Sequence, residues 1–79
     1  MLKLIAVRGM YTLYDITSSK SKSQTFCIRY NNQEYFRIFK HSGHVITEVL
    51  KDTNTLSQAD SVCLADLQKM ATDILFKLN

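Results

Sequence analysis

The fold is decided by a central stretch of sequence, which reads Thr25-Phe26-Cys27-Ile28-Arg29-Tyr30, then Asn31-Asn32-Gln33-Glu34, then Tyr35-Phe36-Arg37-Ile38-Phe39-Lys40. The first and last segments are rich in aromatic and β-branched residues, which are typical of strands. The middle segment offers Asn, which tolerates the positive φ of a tight hairpin turn. The stretch therefore predicts a β-hairpin.

The register of this hairpin decides which side chains share a face. A two-residue loop pairs Arg29 with Glu34 but places Phe26 opposite Arg37, which mixes apolar and charged faces. A three-residue loop places Phe26 opposite Ile38. Because a slip of one residue moves every side chain to the other face, we predict the three-residue loop. The resulting apolar face consists of Phe26, Ile28, Phe36 and Ile38.

Further strand-like segments flank the hairpin. They run from Leu2 to Arg8, from Tyr11 to Ile16 and from Val45 to Leu50. Gly43 gives the backbone freedom for a turn before the last of them. Gly9 separates the first two as a turn, or lies at a bulge within one long strand. An amphipathic helix over residues 2–14 is the competing interpretation.

The C-terminal segment predicts an amphipathic helix from about residue 58 to residue 77. Ser57 and Asp60 resemble a capping box in which Asp replaces the usual Glu or Gln. A wide apolar stripe at helical spacing follows. It contains Cys63, Leu64, Leu67, Met70, Ala71, Ile74 and Leu78. Phe76 projects about 180° from Leu67 on the helical wheel, so we expect it to fray or to contact a partner.

Together these elements predict an α+β fold over residues 1–79, in which a small antiparallel sheet of three to five strands packs on one C-terminal helix. A chain of 79 residues makes one domain. Folding at this size buries only about 60% of the surface that the unfolded chain exposes. Little room is left for a deep substrate pocket.

The cysteines and the N-terminal stretch indicate a cytoplasmic protein with reduced thiols. Cys27 and Cys63 are too few for a disulfide framework, although a single bridge is compatible with them. Arg8 interrupts the apolar start well short of a signal-peptide core. No segment approaches the ~20 apolar residues of a transmembrane helix, so we expect no membrane partner.

The charge of the chain is unevenly distributed. Residues 1–51 hold eight Lys or Arg against three Asp or Glu, a net of +5, whereas residues 52–79 hold two against four, a net of −2. The overall +3 is the sum of these two parts. An anionic partner is therefore expected to meet the sheet region and not the helix.

The predicted register leaves a second face of the hairpin, which carries Cys27, Arg29, Tyr35, Arg37 and Phe39. One helix covers only the opposite face, so this one is predicted to be open. Aromatic rings stack on bases at ~1–3 kcal/mol per base, and guanidinium groups contact phosphates. We predict that the face binds nucleic acid through Arg29, Tyr35, Arg37 and Phe39. Auxiliary phosphate contacts are predicted from Lys20, Lys22 and Lys40.

Two other interpretations fit the same face. Aromatic and Arg residues are enriched at protein–protein interfaces, which predicts a protein-binding inhibitor or adaptor, with a homodimer through this face as one form of it. Phe76 would then be a second contact. Alternatively, the N-terminal segment or a second subunit covers the face, and the Arg stems lie across an ordinary core. The basic excess favours nucleic acid, because only that hypothesis uses it.

The sequence carries no catalytic or metal-binding signature. His41 and His44 flank a Gly turn, but no Cys pair completes a zinc site. Cys27 shares its predicted face with two arginines, which favour a lowered thiol pKa, yet no histidine is placed beside it. Two glycines cannot form a phosphate-cradling loop. We therefore expect a non-enzymatic module without a cofactor, a metal or a small-molecule substrate. Its size is typical of a regulator or of a phage or mobile-element product.

Overall fold

The predicted segments form five strands and one helix in the computed structural model, which describes residues 2–18 and 24–77. The elements are β1 (Lys3–Arg8), β2 (Tyr11–Asp15), β3 (Thr25–Tyr30), β4 (Gln33–His41), β5 (His44–Val49) and α1 (Gln58–Lys77). The strands lie in chain order in one sheet, and every neighbouring pair is antiparallel. α1 contacts all five strands. The predicted α+β fold is confirmed.

The β3–β4 hairpin turns at Asn31 and Asn32, whose φ angles are 53° and 65°. Positive φ at both central residues is the geometry of the two-residue turn whose twist matches that of paired strands. Arg29 therefore pairs with Glu34, and the predicted three-residue loop is wrong. Two adjacent Asn residues decide this end of the hairpin.

A β-bulge at Tyr35 changes the register beyond the turn. The pairing shifts by one residue between Ile28 and Arg29, which leaves Tyr35 as the extra residue of β4. Past the bulge, the predicted pairs are present: Ile28 with Phe36 and Phe26 with Ile38. All four of these side chains are buried, so the predicted apolar face is confirmed.

The N-terminal stretch is a second hairpin, and the alternative of a helix over residues 2–14 is wrong. β1 and β2 join through Gly9 and Met10, and Gly9 has a φ of +59°. A Cβ at Gly9 would lie 3.0 Å from Cys63 Sγ of α1, so glycine serves both the turn and the approach of the helix. A second bulge, at Ile5, shifts the register of β1, and Ile5 and Ala6 both pack against the core.

The third turn joins β4 to β5 through Ser42 and Gly43, whose φ angles are 51° and 81°. His41 and His44 form the closing pair of this turn. The predicted strand from Val45 to Leu50 is present one residue earlier, as His44–Val49. Its register with β4 is regular along its whole length.

Helix α1 begins where the sequence predicted. The backbone N–H of Asp60 donates to Ser57 Oγ at 3.2 Å, which is the expected N-cap hydrogen bond. Leu64, Leu67 and Ala71 of the predicted stripe are buried. The stripe also contains Leu75, which is 3% exposed and which the sequence analysis left out; its predicted Leu78 lies outside the described residues.

The core fills the space between α1 and one face of the sheet. Its buried side chains come from four of the six elements and are listed as Tyr11, Leu13, Phe26, Ile28, Tyr35, Phe36, Ile38, Leu64, Leu67, Ala71 and Leu75. Ile5 and Ala6 of β1 and Val45 of β5 pack against them. Within residues 2–18 and 24–77, no helix has the length and apolar character needed to cross a membrane.

Candidate binding face

The face of the sheet turned away from α1 is the candidate site, and we call it the open face. Strand alternation places every second side chain on it, and the strand pairs align these side chains in rows across the sheet. The first row contains Val7, Thr12, Arg29 and Glu34. The second contains Leu4, Tyr14, Cys27, Arg37 and Glu48. The third contains Thr25, Phe39 and Ile46, and His41 and His44 follow.

Three of the predicted site residues, Arg29, Arg37 and Phe39, lie on the open face. Tyr35 does not, and its prediction is wrong. The bulge turns its ring to the helix side, where Tyr35 is 6% exposed and its centroid lies 5.6 Å from that of Tyr11. Tyr35 is therefore a core residue.

Lys40 does not lie on this face either. Lys40 pairs with Val45, a core-facing residue, and its Nζ lies 6.0 Å from the ring centroid of Phe76. Lys40 is thus on the helix side, because strand alternation separates it from Phe39, and its predicted auxiliary phosphate contact would have to be made from that side. Lys20 and Lys22 lie outside the described residues.

A hydrogen-bonded cluster of three side chains occupies the middle of the open face. Arg37 Nε and Nη2 donate to the Glu34 carboxylate at 3.2 and 3.0 Å, and Cys27 Sγ donates to Glu34 Oε1 at 3.2 Å. The hydrogen bonds from Arg37 and then from Cys27 lower the pKa of Glu34. The Arg37 guanidinium is therefore already hydrogen-bonded within the chain, and the Glu34 carboxylate offsets its charge.

Cys27 is not a reactive thiol in this environment. Its side chain is 0% exposed, and burial followed by the hydrogen bond to Glu34 raises its pKa to about 12. Arg29 and Arg37 act in the predicted direction and lower this pKa. Burial and the carboxylate outweigh them, because a thiolate would lose its solvation and face Glu34. A nucleophilic role is therefore disfavoured.

The charges of the open face are balanced. Arg29 and Arg37 lie opposite Glu34 and Glu48 in the strand pairing. Among the described residues, the basic side chains of β1 lie on the helix side of the sheet, since Lys3 pairs with Asp15 and Arg8 pairs with Tyr11. The electrostatic argument that favoured nucleic acid therefore does not apply to the described part of this face.

Exposed aliphatic side chains flank the charged middle. Leu4 is 56% exposed and Val7 50% on β1, and Ile46 is 37% exposed on β5. Leu4 is paired with Tyr14, and Ile46 with Phe39. Each side of the face thus has an apolar pair that joins an aliphatic side chain to a partly buried ring. These edge residues were not predicted from the sequence, because the predicted face was derived from the β3–β4 hairpin alone.

A shallow polar depression lies beside the β3–β4 turn. It is lined by Thr12, Tyr14, Arg29, Asn31 and Asn32 and has a volume of about 170 Å³. Arg29 Nη2 donates to Asn32 O at 3.3 Å, and the guanidinium carbon lies 5.9 Å from the Tyr14 ring centroid. Arg29 Nε is buried and has no hydrogen-bond partner among the described residues. The depression is suited to one small anionic group, such as a carboxylate.

The described residues bring no three His, Cys, Asp or Glu side chains into a metal-binding arrangement. The chain matches no protein-family model, no curated protein and no solved structure. The geometry of the open face is therefore the basis for a functional proposal.

Proposed function

We propose that this chain is a non-enzymatic protein-binding module and that its open face contacts a folded protein partner. One observation supports this most directly: the exposed aliphatic residues Leu4, Val7 and Ile46 flank a charge-balanced centre. Such a face combines apolar area with fixed polar groups, as protein interfaces do. A nucleic-acid surface is expected to carry a net positive field instead.

The apolar flanks are the source of affinity. Complete burial of a Val, Leu or Ile side chain contributes about 1.5–3 kcal/mol, and Leu4, Val7 and Ile46 retain between 37% and 56% of their surface for a partner to cover. The Glu34–Arg37 pair is already formed, so it loses little freedom on binding. It fixes orientation more than it adds affinity.

The chemistry of the partner follows from the same face. We expect an apolar surface with few charges, and one Asp or Glu side chain that enters the depression at Arg29. A carboxylate there would meet the Arg29 guanidinium, which lines the depression, and the contact would be a charge-assisted hydrogen bond. The occupant is thus a protein with an acidic residue beside an apolar patch.

Single-stranded nucleic acid is the second candidate, and the Arg29 depression is the observation that favours it. A phosphate oxygen can take the same place as a carboxylate, and Tyr14 beside it offers a ring for base stacking. The residues now assigned to this role are Arg29, Tyr14, Arg37 and Phe39. The regulator role and the phage or mobile-element origin stay predictions from size.

We also propose that the chain acts in the cytoplasm. Cys27 and Cys63 are both free thiols, and they lie on opposite sides of the sheet, since Cys63 packs against the core. This arrangement is typical of a compartment that keeps thiols reduced.

The experiment compares the wild type with Val7→Lys on the open face and Val62→Lys on the outer side of α1. Val7 and Val62 are 50% and 55% exposed, so the second variant controls for the same change at the same exposure. Proteins captured on the immobilised chain are identified, purified and titrated by calorimetry. We expect Val7→Lys to weaken binding by about tenfold or more and Val62→Lys to leave it unchanged.

Fluorescence anisotropy with single-stranded and duplex oligonucleotides tests the second candidate in parallel. Binding that falls steeply between 50 and 200 mM salt, as counterion release requires, and that Arg29→Ala abolishes would overturn the protein-binding proposal. Equal effects of Val7→Lys and Val62→Lys on the captured protein would also overturn it.

A further inference from the structure

The two edges of the sheet are protected to different degrees. β1 has a bulge at Ile5 and carries Lys3 and Arg8, and bulges and basic side chains are the usual devices against edge-to-edge pairing. β5, with the sequence HVITEV, has neither Lys, Arg nor Pro, and its pairing with β4 has no register shift. Five of its six residues are exposed.

The free edge of β5 offers main-chain hydrogen-bonding groups in a defined pattern. Leu50 N donates to Tyr35 O at 2.9 Å, so the main chain of Leu50 points to β4. Antiparallel strands alternate this direction from residue to residue. The N–H and C=O groups of Val45, Thr47 and Val49 therefore point away from the sheet. A new strand would find three donors and three acceptors there.

We propose that a second copy of this chain pairs antiparallel along β5, with a twofold axis at Ile46, to form a continuous ten-stranded sheet. In this register Val45 of one copy hydrogen-bonds with Thr47 of the second copy, and the two Ile46 side chains meet at the axis. Ile46 pairs would be of the closer, non-hydrogen-bonded kind, which brings side chains into contact. The proposal stands on the edge of β5 and goes beyond binding at the open face.

Hydrogen-bonding complementarity between His44 and Glu48 favours this occupant and this register. His44 of one copy lies opposite Glu48 of the second copy, on the open face, at both ends of the Ile46 contact. Within each copy Glu48 lies opposite Arg37 in the strand pairing, so its carboxylate would lie between Arg37 and the His44 imidazole of the second copy. A twofold axis at Glu48 would place two carboxylates opposite each other, and one at Thr47 would place Ile46 opposite Glu48. Both are less favourable cross-strand pairs.

The dimer has a consequence for the open face. Phe39 is the partner of Ile46 in the sheet, so pairing at Ile46 would join the Phe39–Ile46 pairs of the two copies into one apolar band. Two Arg29 depressions would lie on either side of that band. The assembly would therefore present a twofold-symmetric surface, as isologous dimers do.

The test uses sedimentation equilibrium and light scattering on the full chain up to about 1 mM, a concentration at which even a dimer with a Kd of about 1 mM is substantially populated. The wild type is expected at twice the 9.1 kDa mass of one chain. Thr47→Pro removes an outward-pointing N–H and leaves the ladder to β4 intact, which an edge strand tolerates. Ile46→Lys places two ammonium groups at the axis. Both variants are expected to be monomers.

Val7→Lys is the matched control, because Val7 lies on the same open face but at the β1 edge. It is expected to stay dimeric while losing the protein partner, whereas Thr47→Pro is expected to lose the dimer and keep the partner. Circular dichroism checks that each variant is folded. Amide exchange gives a second measurement: the N–H groups of Val45 and Thr47 should exchange about tenfold more slowly, or slower still, in the dimer.

A wild-type chain that is monomeric at every concentration would overturn the proposal, and so would a Thr47→Pro variant that folds and remains dimeric. A dimer that Val7→Lys also dissociates would indicate face-to-face packing of two open faces instead, and would overturn the β5 pairing while leaving the open face as an interface. Ile46→Lys gives the result if Thr47→Pro does not fold.

Discussion

The helix side and the open face of the sheet are built from the same five strands but from different chemistry. On the helix side, Leu13, Ile28 and Ile38 are 0% exposed, and none of the described core residues is charged. On the open face, Arg37 and Glu34 pair beside aliphatic side chains. The comparison shows that the fully buried apolar side chains are concentrated on one face, so the packing of the core places fewer constraints on the side chains of the other.

The largest expected effect concerns Tyr35, which was predicted on the open face and lies in the core. Tyr35→Ala should lower the free energy of unfolding by about 3–5 kcal/mol, because it empties a core site next to Tyr11. Arg29→Ala, on the open face, should change it by about 1 kcal/mol or less. Urea unfolding of both variants measures the difference. Equal and small effects would mean that Tyr35 lies on the open face and that the bulge is absent.

That pair of variants also shows where prediction from sequence ends. Pattern alone was sufficient for α1, since a cap at Ser57 and an apolar stripe agree on one element. It was also sufficient for the Phe26–Ile38 pairing. The bulge at Tyr35 was missed because the turn chemistry and the apolar pattern favoured different registers, and a single uniform register had to satisfy both. A conflict of this kind is itself a signal for a bulge.

The candidate site was predictable only in part, for the same physical reason. A register shift of one residue moves a side chain to the opposite face of the sheet, so Tyr35 was predicted on the wrong face. Arg29, Arg37 and Phe39 were predicted on the open face, and they lie there in the register found. The contributions of Leu4 and Val7 depend on β1 lying beside β2, which the hairpin alone does not specify.

An intermediate loss of stability is expected at the turn between β1 and β2, which packs against α1. Gly9→Ala adds a Cβ 3.0 Å from Cys63 Sγ at a residue with a φ of +59°. We expect a loss of about 1–3 kcal/mol in the free energy of unfolding, from backbone strain and the close contact. Thermal and urea unfolding measure it.

The double variant Gly9→Ala with Cys63→Ala separates the two causes. Removal of the Cys63 sulfur should relieve the contact but not the backbone strain, so the interaction in the double-mutant cycle should be favourable and smaller than the total loss. A Gly9→Ala variant as stable as the wild type would contradict the close approach of α1 to this turn.

The smallest expected effect concerns acid stability and brings the comparison back to the open face. The hydrogen bonds from Arg37 and Cys27 lower the pKa of Glu34 below its ordinary value of 4.5, so the folded state binds this proton less readily than the unfolded state does. The stabilisation by the Glu34 carboxylate is therefore complete above that value and is lost as the pH falls through the lower, folded pKa. Because the pair is partly exposed, we expect a difference below about 1 kcal/mol.

Urea unfolding from pH 7 to pH 2.5 of wild type and Glu34→Gln measures this difference. Glu48→Gln is the control, because Glu48 has no ion pair among those described. The two curves for wild type and Glu34→Gln should converge at the acid end. Curves that stay parallel throughout would mean that the Glu34–Arg37 pair does not stabilise the fold and that the open face has no preformed polar centre.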